Sequence, residues 1–243
     1  LASRGQVDVD APVEKYWPEF GLNGKGNVLV RHVLSHTAGL PAWDQRIDGT
    51  DLYDWRKVTD LLAEQATWWE PGWKSGYHGI TQGNLVGEIV RRIDGRSVGR
   101  FFAEEIAGPT GADFHIGLGA EHDARVARVI PVPPLQFGSA DGAAAPDPDS
   151  IPYRASNPRL RAEQSWEIPW RRAEIPAGGG HGNARSVALA QAAVSHGGSL
   201  RGVELLWRGP REGLFDREAA GPDAGAGAGV QRAVGHVVQS PRP

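Results

Sequence analysis

The segment Thr81–Asp94 constrains the fold most, because its apolar residues recur at helical spacing. Leu85, Ile89 and Ile93 are four residues apart, and two valines widen the same face. Such a broad apolar stripe predicts an amphipathic helix packed against a core. Gly95 follows directly, and glycine is a common residue just past the last turn of a helix. We therefore predict a helix over this segment that Gly95 terminates.

Four further segments combine apolar residues at helical spacing with helix start or stop signals. Ser97 is a suitable N-cap for one of them, and the glycine pair Gly197-Gly198 closes another. The four predicted helices cover residues 28–35, 58–66, 98–108 and 184–196.

Two regions lack any such pattern. Residues 131–158 are rich in Pro, Gly and Asp and predict a long loop. From residue 207 onwards Gly, Ala, Pro and Arg dominate, with neither a helical nor a strand period, so no regular structure is predicted there. The sequence thus predicts a single domain over residues 1–206 and a Gly/Ala/Arg-rich tail over residues 207–243.

The composition excludes several classes of function. The 243 residues carry a net charge of -3, which gives no basic surface for nucleic acid. No apolar run approaches the about 18 residues that indicate a membrane-spanning helix. There is no cysteine, and hence no disulfide, thiol nucleophile or thiolate-bound metal. We therefore expect neither a nucleic-acid nor a membrane partner. The start of the chain lacks the apolar stretch of a signal peptide, so the default expectation is a cytoplasmic location.

The motif G-x-S-x-G occurs at Gly95 to Gly99 and would make Ser97 a hydrolase nucleophile. In α/β-hydrolases this motif exposes the serine on a sharp turn between a strand and a helix. Here both flanking segments are predicted helices, so we interpret Ser97 as an N-cap. A hydrolase that depends on Ser97 ranks last among the functional hypotheses.

His32 and His36 are four residues apart, the spacing of two metal ligands on one helical face. The intervening residues lack the glutamate of the zinc-peptidase motif H-E-x-x-H, and no matching third ligand is evident. We interpret the pair as packing and hydrogen-bonding groups at a helix end, and we expect no metal ion and no cofactor.

Tyr77 lies between an aromatic loop, TWWEPGWKSG, and the helix predicted at Thr81–Asp94. A tyrosine held at such a junction can act as a general base where nearby cations stabilise its phenolate. This position makes Tyr77 a candidate catalytic residue, and the nearby His78 and Trp69 are candidates to bind substrate. The tryptophans of this region either line a groove for an acyl or aromatic ligand, or are core and lid side chains.

Three strings of the sequence carry a resemblance to a known family. They are VRHVLSHTAGLP, WWEPGWKSGYHGITQGNLVGEIVRRIDGRSVGRFFAEEIAGPTGADFHIGL and RRAEIPAGGGHGNARSVALAQAAVSHGGSLRGVELL. Together they resemble the serine β-lactamase-related family of class C β-lactamases, D-Ala-D-Ala carboxypeptidases and family VIII carboxylesterases, in its esterase-like branch. The resemblance spans residues 7–206. It implies an α+β fold of the serine β-lactamase/transpeptidase type, with an all-helical subdomain beside an α/β subdomain.

The resemblance also implies a mechanism. A serine in an S-x-x-K motif attacks an ester or amide carbonyl, a lysine and a tyrosine manage its proton, and water then releases the acid from an acyl-enzyme. Tyr77 occupies the position of the family's tyrosine. Gly79 stands where the β-lactamases of the family carry an asparagine that contacts substrate, and this departure favours the esterase branch.

The sequence lacks two parts that the resemblance implies. No S-x-x-K occurs, because the residue three positions before each lysine is Pro12, Leu22, Asp54 or Pro71. No K-T-G-like strand follows residue 206, and a frameshift in a GC-rich gene would account for the tail. We therefore expect a fragment of the fold that is truncated at both ends and retains most of the helical subdomain.

Two functional hypotheses of different classes follow. In the first, the protein is a serine hydrolase that acts on small carboxylic esters or amides through an acyl-enzyme, and the chain as given is inactive. In the second, the same scaffold is a non-catalytic ligand-binding module. An upstream reading frame that supplies S-x-x-K would favour the first. The sequence indicates neither the individual substrate nor an oligomeric state.

Overall fold

The computed structural model describes residues 1–131, 147–206, 217–222 and 231–235. Within these residues helices form most of the regular structure, and the strands form three antiparallel pairs. The α-helices are α1 (Val30–Leu34), α2 (Trp55–Glu64), α3 (Thr81–Asp94), α4 (Val98–Phe102), α5 (Gly108–Thr110), α6 (Ile151–Arg154), α7 (Ile168–Arg172) and α8 (Ala184–Ser195).

A π-helical turn, Ala103–Ala107, joins α4 to α5 without a break. Short 3₁₀ turns connect other parts of the chain at Ala2–Arg4, Val13–Lys15, Pro18–Gly21, Asp51–Tyr53, Ala120–Arg125 and Ala162–Trp166. The strand pairs are β1 (Phe114–Ile116) with β2 (Gly180–Gly182), β3 (Ser199–Leu200) with β4 (Val203–Glu204), and β5 (Arg217–Pro222) with β6 (Gln231–Gly235). In the first pair His115 lies opposite His181.

Helix α3 confirms the strongest prediction from the sequence. Its bounds are Thr81 and Asp94, and Leu85 and Ile89 on its apolar face are buried. Gly95 follows with φ of 87°, the left-handed conformation that glycine adopts without a side-chain clash. The helix ends there because the next residue leaves the right-handed region.

Helix α2 begins three residues before the predicted start. The carboxylate of Asp54 accepts a hydrogen bond from the backbone N of Lys57 at 3.0 Å, and this N-cap fixes the first turn. The apolar spacing becomes visible only at Val58, so a search for periodicity alone misses the capped turn.

One hydrophobic core lies between α1, α2, α3 and the 3₁₀ turns that precede them. Its members come from residues 13–89, and Trp170 and Ile175 join it from the second half of the chain. The largest fully buried apolar side chains are Trp17, Trp43, Phe20, Leu40, Leu52, Leu62, Leu85 and Ile175. This core supports the loops that carry the candidate site.

A buried carboxylate on α3 is neutralised by its neighbours. Glu88 is buried, and its oxygens accept hydrogen bonds from Trp55 Nε1 at 2.8 Å, Arg91 Nη2 at 2.6 Å and Arg92 Nε at 2.7 Å. Burial raises the pKa of Glu88, but these donors outweigh it and hold the pKa below its usual value. The network therefore fixes α3 against Trp55 of α2.

A buried lysine donates hydrogen bonds to carbonyl oxygens at the carboxyl end of α2. Lys25 is fully buried, and its Nζ donates to the carbonyl oxygens of Leu22 at 2.8 Å and Ala63 at 2.8 Å, and to that of Gln65. Carbonyls at a helix end lack partners within the helix, so a cation there satisfies them. Burial lowers the pKa of Lys25 to about 8.

Replacement of this lysine tests its structural role. We expect Lys25→Met to lower the free energy of unfolding by about 2–4 kcal/mol, because methionine leaves buried carbonyls without a donor. The measurement is urea unfolding followed by circular dichroism. Lys15→Met is the control, since Lys15 is exposed, and it should change stability little. Equal stability of Lys25→Met and the unmodified chain would contradict this role.

The region after residue 206 differs from the prediction. No regular structure is predicted there, yet β5 and β6 form an antiparallel pair in which Ala220 lies opposite Ala233. That expectation is wrong for these two segments. Strand pairing rests on backbone hydrogen bonds, which a Gly/Ala-rich sequence makes without the side-chain alternation that a pattern search needs.

The predicted long loop at residues 131–158 is described only in part. Residues 132–146 lie outside the described residues, and the remainder contains the short helix α6. In the described part of the chain, no helix has both the length and the apolar character to span a bilayer.

Candidate functional site

Tyr77 ends the aromatic loop just before α3. Its side chain is 49% exposed, and its ring lies beside the ring of His36 with centroids 5.0 Å apart. The ring also packs beside Gly79, where a Cβ would lie 3.4 Å from Tyr77 Cε1, an ordinary van der Waals distance. The predicted catalytic tyrosine is thus accessible and seated against a defined neighbour.

His78 is fully buried directly behind Tyr77. Its Nε2 accepts a hydrogen bond from the backbone N of Leu40 at 3.0 Å, so the ring proton lies on Nδ1, which donates to the carbonyl of Gly76 at 2.5 Å. Burial, together with the neighbouring His36, lowers the pKa of His78 to about 3. The imidazole is therefore neutral and joins two loops.

Backbone hydrogen bonds reinforce this junction. The backbone N of His78 donates to His36 Nδ1 at 3.1 Å, and the backbone N of Gly76 donates to the carbonyl of His36 at 3.1 Å. Thr81 Oγ1 donates to the carbonyl of Leu40 at 2.7 Å and ties the first residue of α3 to the same loop. The string at residues 30–41 and the string that starts at residue 68 therefore form one structural unit.

Gly39 permits the close crossing of the two loops. Its φ is 78°, and a Cβ there would lie 2.7 Å from the carbonyl oxygen of Trp69. Any larger residue would meet backbone at that distance, besides adopting a strained conformation. The crossing brings Trp69 alongside His78.

Trp69 completes the cluster. It is 6% exposed, and its ring stands edge-on to the ring of His78 with centroids 6.0 Å apart. Lys74 Nζ lies 5.4 Å from the centroid of the same indole. The structure therefore brings Tyr77, His78 and Trp69 together. The ring of His36 lies next to the rings of Tyr77 and His78, and Lys74 lies over the ring of Trp69.

The chain matches a known protein family over almost its whole length. A protein-family model described as Beta-lactamase matches residues 1–242. The chain belongs to the beta-lactamase family. The resemblance predicted from the three strings is thereby confirmed. The match runs through residues 207–242 as well, and the division of the chain at residue 206 stays a prediction.

Individual members of the beta-lactamase family resemble this chain over most of its length. Esterase/beta-lactamase LipL of Mycobacterium tuberculosis is 34% identical over 220 residues, which are 86% of this chain and 49% of LipL. The crystal structure of a family VIII carboxylesterase is 36% identical with a TM-score of 0.84, covering 97% of this chain and 61% of that one.

A penicillin-binding protein homologue from Caulobacter crescentus is 34% identical with a TM-score of 0.77, covering 92% of this chain and 58% of that one. These likenesses confirm the predicted serine β-lactamase/transpeptidase-like fold. The chain spans about half the length of the curated relative LipL.

Ser97, the serine of the G-x-S-x-G motif, is a helix cap as predicted. Its Oγ accepts from the backbone N of Arg100 at 3.4 Å and donates to Glu174 Oε1 at 2.6 Å. The other oxygen of Glu174 accepts from the backbone N of Gly99 at 2.9 Å. In the described part of the chain both groups therefore serve the start of α4.

The two histidines with metal-ligand spacing do not share a helical face. His32 lies in α1, and its Nδ1 accepts from the backbone N of Leu29 at 3.2 Å. His36 lies beyond the helix, with φ of 61°. Their interpretation as hydrogen-bonding groups at a helix end is confirmed. Among the described residues, no three His, Asp or Glu side chains are placed to hold a metal ion.

The structure differs from the sequence prediction in how the site residues are used. His78 is predicted to bind substrate, but it is fully buried and both ring nitrogens bond to backbone, so direct contact with a ligand would require those bonds to break. Sequence analysis does not select His36 or Lys74 as site residues. Their local signals are their position inside the two strings that meet and, for His36, the four-residue spacing from His32.

Protonation of His78 should destabilise the fold at low pH. Its pKa falls from 6.5 to about 3 on folding, so the unfolded chain takes up the proton first. The stability that the neutral ring contributes is present above pH 6.5 and is lost as pH falls towards 3. We expect this residue to contribute a slope of about 1.4 kcal/mol per pH unit in that window.

Urea unfolding at several pH values measures that slope. His78→Gln cannot titrate, so its stability should decline less steeply than that of the unmodified chain. His196→Gln, at an exposed histidine, should keep the original slope. Parallel curves for His78→Gln and the unmodified chain would count against this assignment.

Proposed function

We propose that the protein hydrolyses small carboxylic esters through an acyl-enzyme, and that this chain supplies the tyrosine side of the catalytic site. The observation that carries the proposal is the placement of Tyr77, which is half exposed just before α3 with its ring packed beside His36 and Gly79. Membership of the beta-lactamase family and likeness to proteins named as esterases support it.

In this proposal Tyr77 manages the proton of a serine nucleophile. The serine oxygen attacks the ester carbonyl while its proton passes to the phenolate oxygen of Tyr77, and the proton then moves from the Tyr77 hydroxyl to the departing alkoxide, which restores the phenolate. Water attacks the acyl-serine in the second half and releases the carboxylic acid. A general base must stay within hydrogen-bond reach during both acylation and deacylation. A tyrosine ring held in place by packing suits this role.

Two features favour esters over β-lactams. Gly79 offers no side-chain amide where β-lactamases of the resembled family carry an asparagine. Tyr77 lies against Gly79, so the ring itself occupies part of the space next to that position. We propose that the acyl group of the substrate contacts the aromatic ring of Tyr77, where a β-lactamase would present the asparagine amide.

The second candidate is a ligand-binding module without catalysis. It is favoured by one observation, the absence of S-x-x-K from the 243 residues. An acyl-transfer site without its nucleophile retains binding but not turnover. We therefore propose that the chain as given does not form an acyl-enzyme.

A fluorophosphonate probe tests this point. We expect the purified chain, folded by circular dichroism, to show no covalent adduct by mass spectrometry, because Ser97 is engaged with Arg100 and Glu174. Ser97→Ala serves as the comparison. An adduct that Ser97→Ala abolishes would overturn the proposal and revive the G-x-S-x-G hypothesis.

The role of Tyr77 is tested in a version of the protein joined to an S-x-x-K segment. We expect Tyr77→Phe to lower kcat for 4-nitrophenyl butyrate by about 10²–10⁴-fold, the usual contribution of a general acid–base group, with little change in KM. Tyr16→Phe is the matched control, since its hydroxyl accepts from the backbone N of Asp8 and lies outside the cluster. Unchanged kcat in Tyr77→Phe would remove Tyr77 from the mechanism.

A further inference from the structure

Two hydrogen-bond donors at the indole of Trp69 have no protein acceptor among the described residues. The ring N–H of Trp69 is buried and has no acceptor among the described residues. Lys74 Nζ lies 5.4 Å from the centroid of the same ring, and no hydrogen bond or ion pair links it to any described residue. Glu70, the nearest acid before it in sequence, is exposed and forms no ion pair with it.

The position of Lys74 has a partial structural explanation. Its ammonium also lies 5.2 Å from the centroid of Trp73, so it is held between two indole rings. Attraction between a cation and aromatic faces accounts for that placement. It leaves the Trp69 N–H unexplained, because a buried donor without an acceptor is rare and destabilising.

The two donors adjoin the candidate catalytic site. Trp69 contacts His78, which sits directly behind Tyr77, and Lys74 precedes Tyr77 by three residues on the same loop. Trp73 is 70% exposed and forms the outer side of this cation site. An exposed indole and a cation therefore lie within four residues of Tyr77 on the same loop.

We propose that Lys74 and the Trp69 N–H form a binding site for a carboxylate group, with Trp73 covering an adjoining apolar part of the ligand. A carboxylate only accepts hydrogen bonds and has two oxygens, so it satisfies both unpaired donors at once. The ligand is an ester substrate that carries a free carboxylate besides its ester group, and this assignment to the substrate rests on the proposed function. Binding itself requires no turnover.

Calorimetric titration of the 243-residue chain tests the site. The probes are 3-phenylpropionate and its neutral analogue 3-phenylpropionamide, which share one apolar part. We expect the acid to bind about tenfold more tightly at low salt, because a hydrogen bond to an ionised group is stronger than one to a neutral group. Added sodium chloride should reduce the difference.

Variants separate the contributions. Lys74→Met should abolish the preference for the acid, while Trp73→Ala should weaken both probes and leave their ratio unchanged. Lys15→Met is the matched control, because Lys15 also lies over an aromatic ring, 5.4 Å from the centroid of Tyr16. It should leave both affinities unaltered, and each variant is first checked for folding by circular dichroism.

Three results would overturn the site: no saturable binding of the acid, equal affinity for the two probes, or a preference that survives Lys74→Met. None of them depends on catalysis. Conversely, an S-x-x-K-bearing form that prefers the acid but hydrolyses no ester would retain the carboxylate site and reject the proposed function.

Discussion

The neutral imidazole of His78 is the interaction on which the candidate site depends. It accepts from the backbone N of Leu40 and donates to the carbonyl of Gly76, so one ring connects two loops that lie far apart in sequence. Only the neutral tautomer can do both, because a protonated ring has no acceptor for Leu40. Full burial without a carboxylate partner maintains that neutrality. Tyr77 is thereby followed directly by a side chain whose two ring nitrogens both bond to backbone.

Much of the local structure follows from local signals. The apolar spacing of α3, its terminating Gly95 and the cap at Ser97 are encoded within a turn of where they act. The resemblance also places Tyr77 correctly at the junction of loop and helix. Patterns of this kind depend on residues close in sequence, and such contacts survive almost any tertiary arrangement.

What sequence analysis misses depends on distant partners. Glu174 reaches Ser97 across 77 residues, and Lys25 reaches the carbonyl of Ala63 across 38. The burial of His78 is of the same kind, since its sequence position next to an exposed tyrosine gives no sign of it. Predicting that His78 binds substrate follows from proximity along the chain, whereas its hydrogen bonds follow from the crossing at Gly39.

The hydrogen bonds around His78, next to Tyr77, come from a continuous part of the chain. His36, Leu40, Gly76 and Thr81 all lie within residues 36–81, on loops that rest on a core drawn chiefly from residues 13–89. The tyrosine side of the site is therefore organised by its own segment and its own core. In the proposed mechanism, a nucleophile would therefore meet a surface that this segment has already formed.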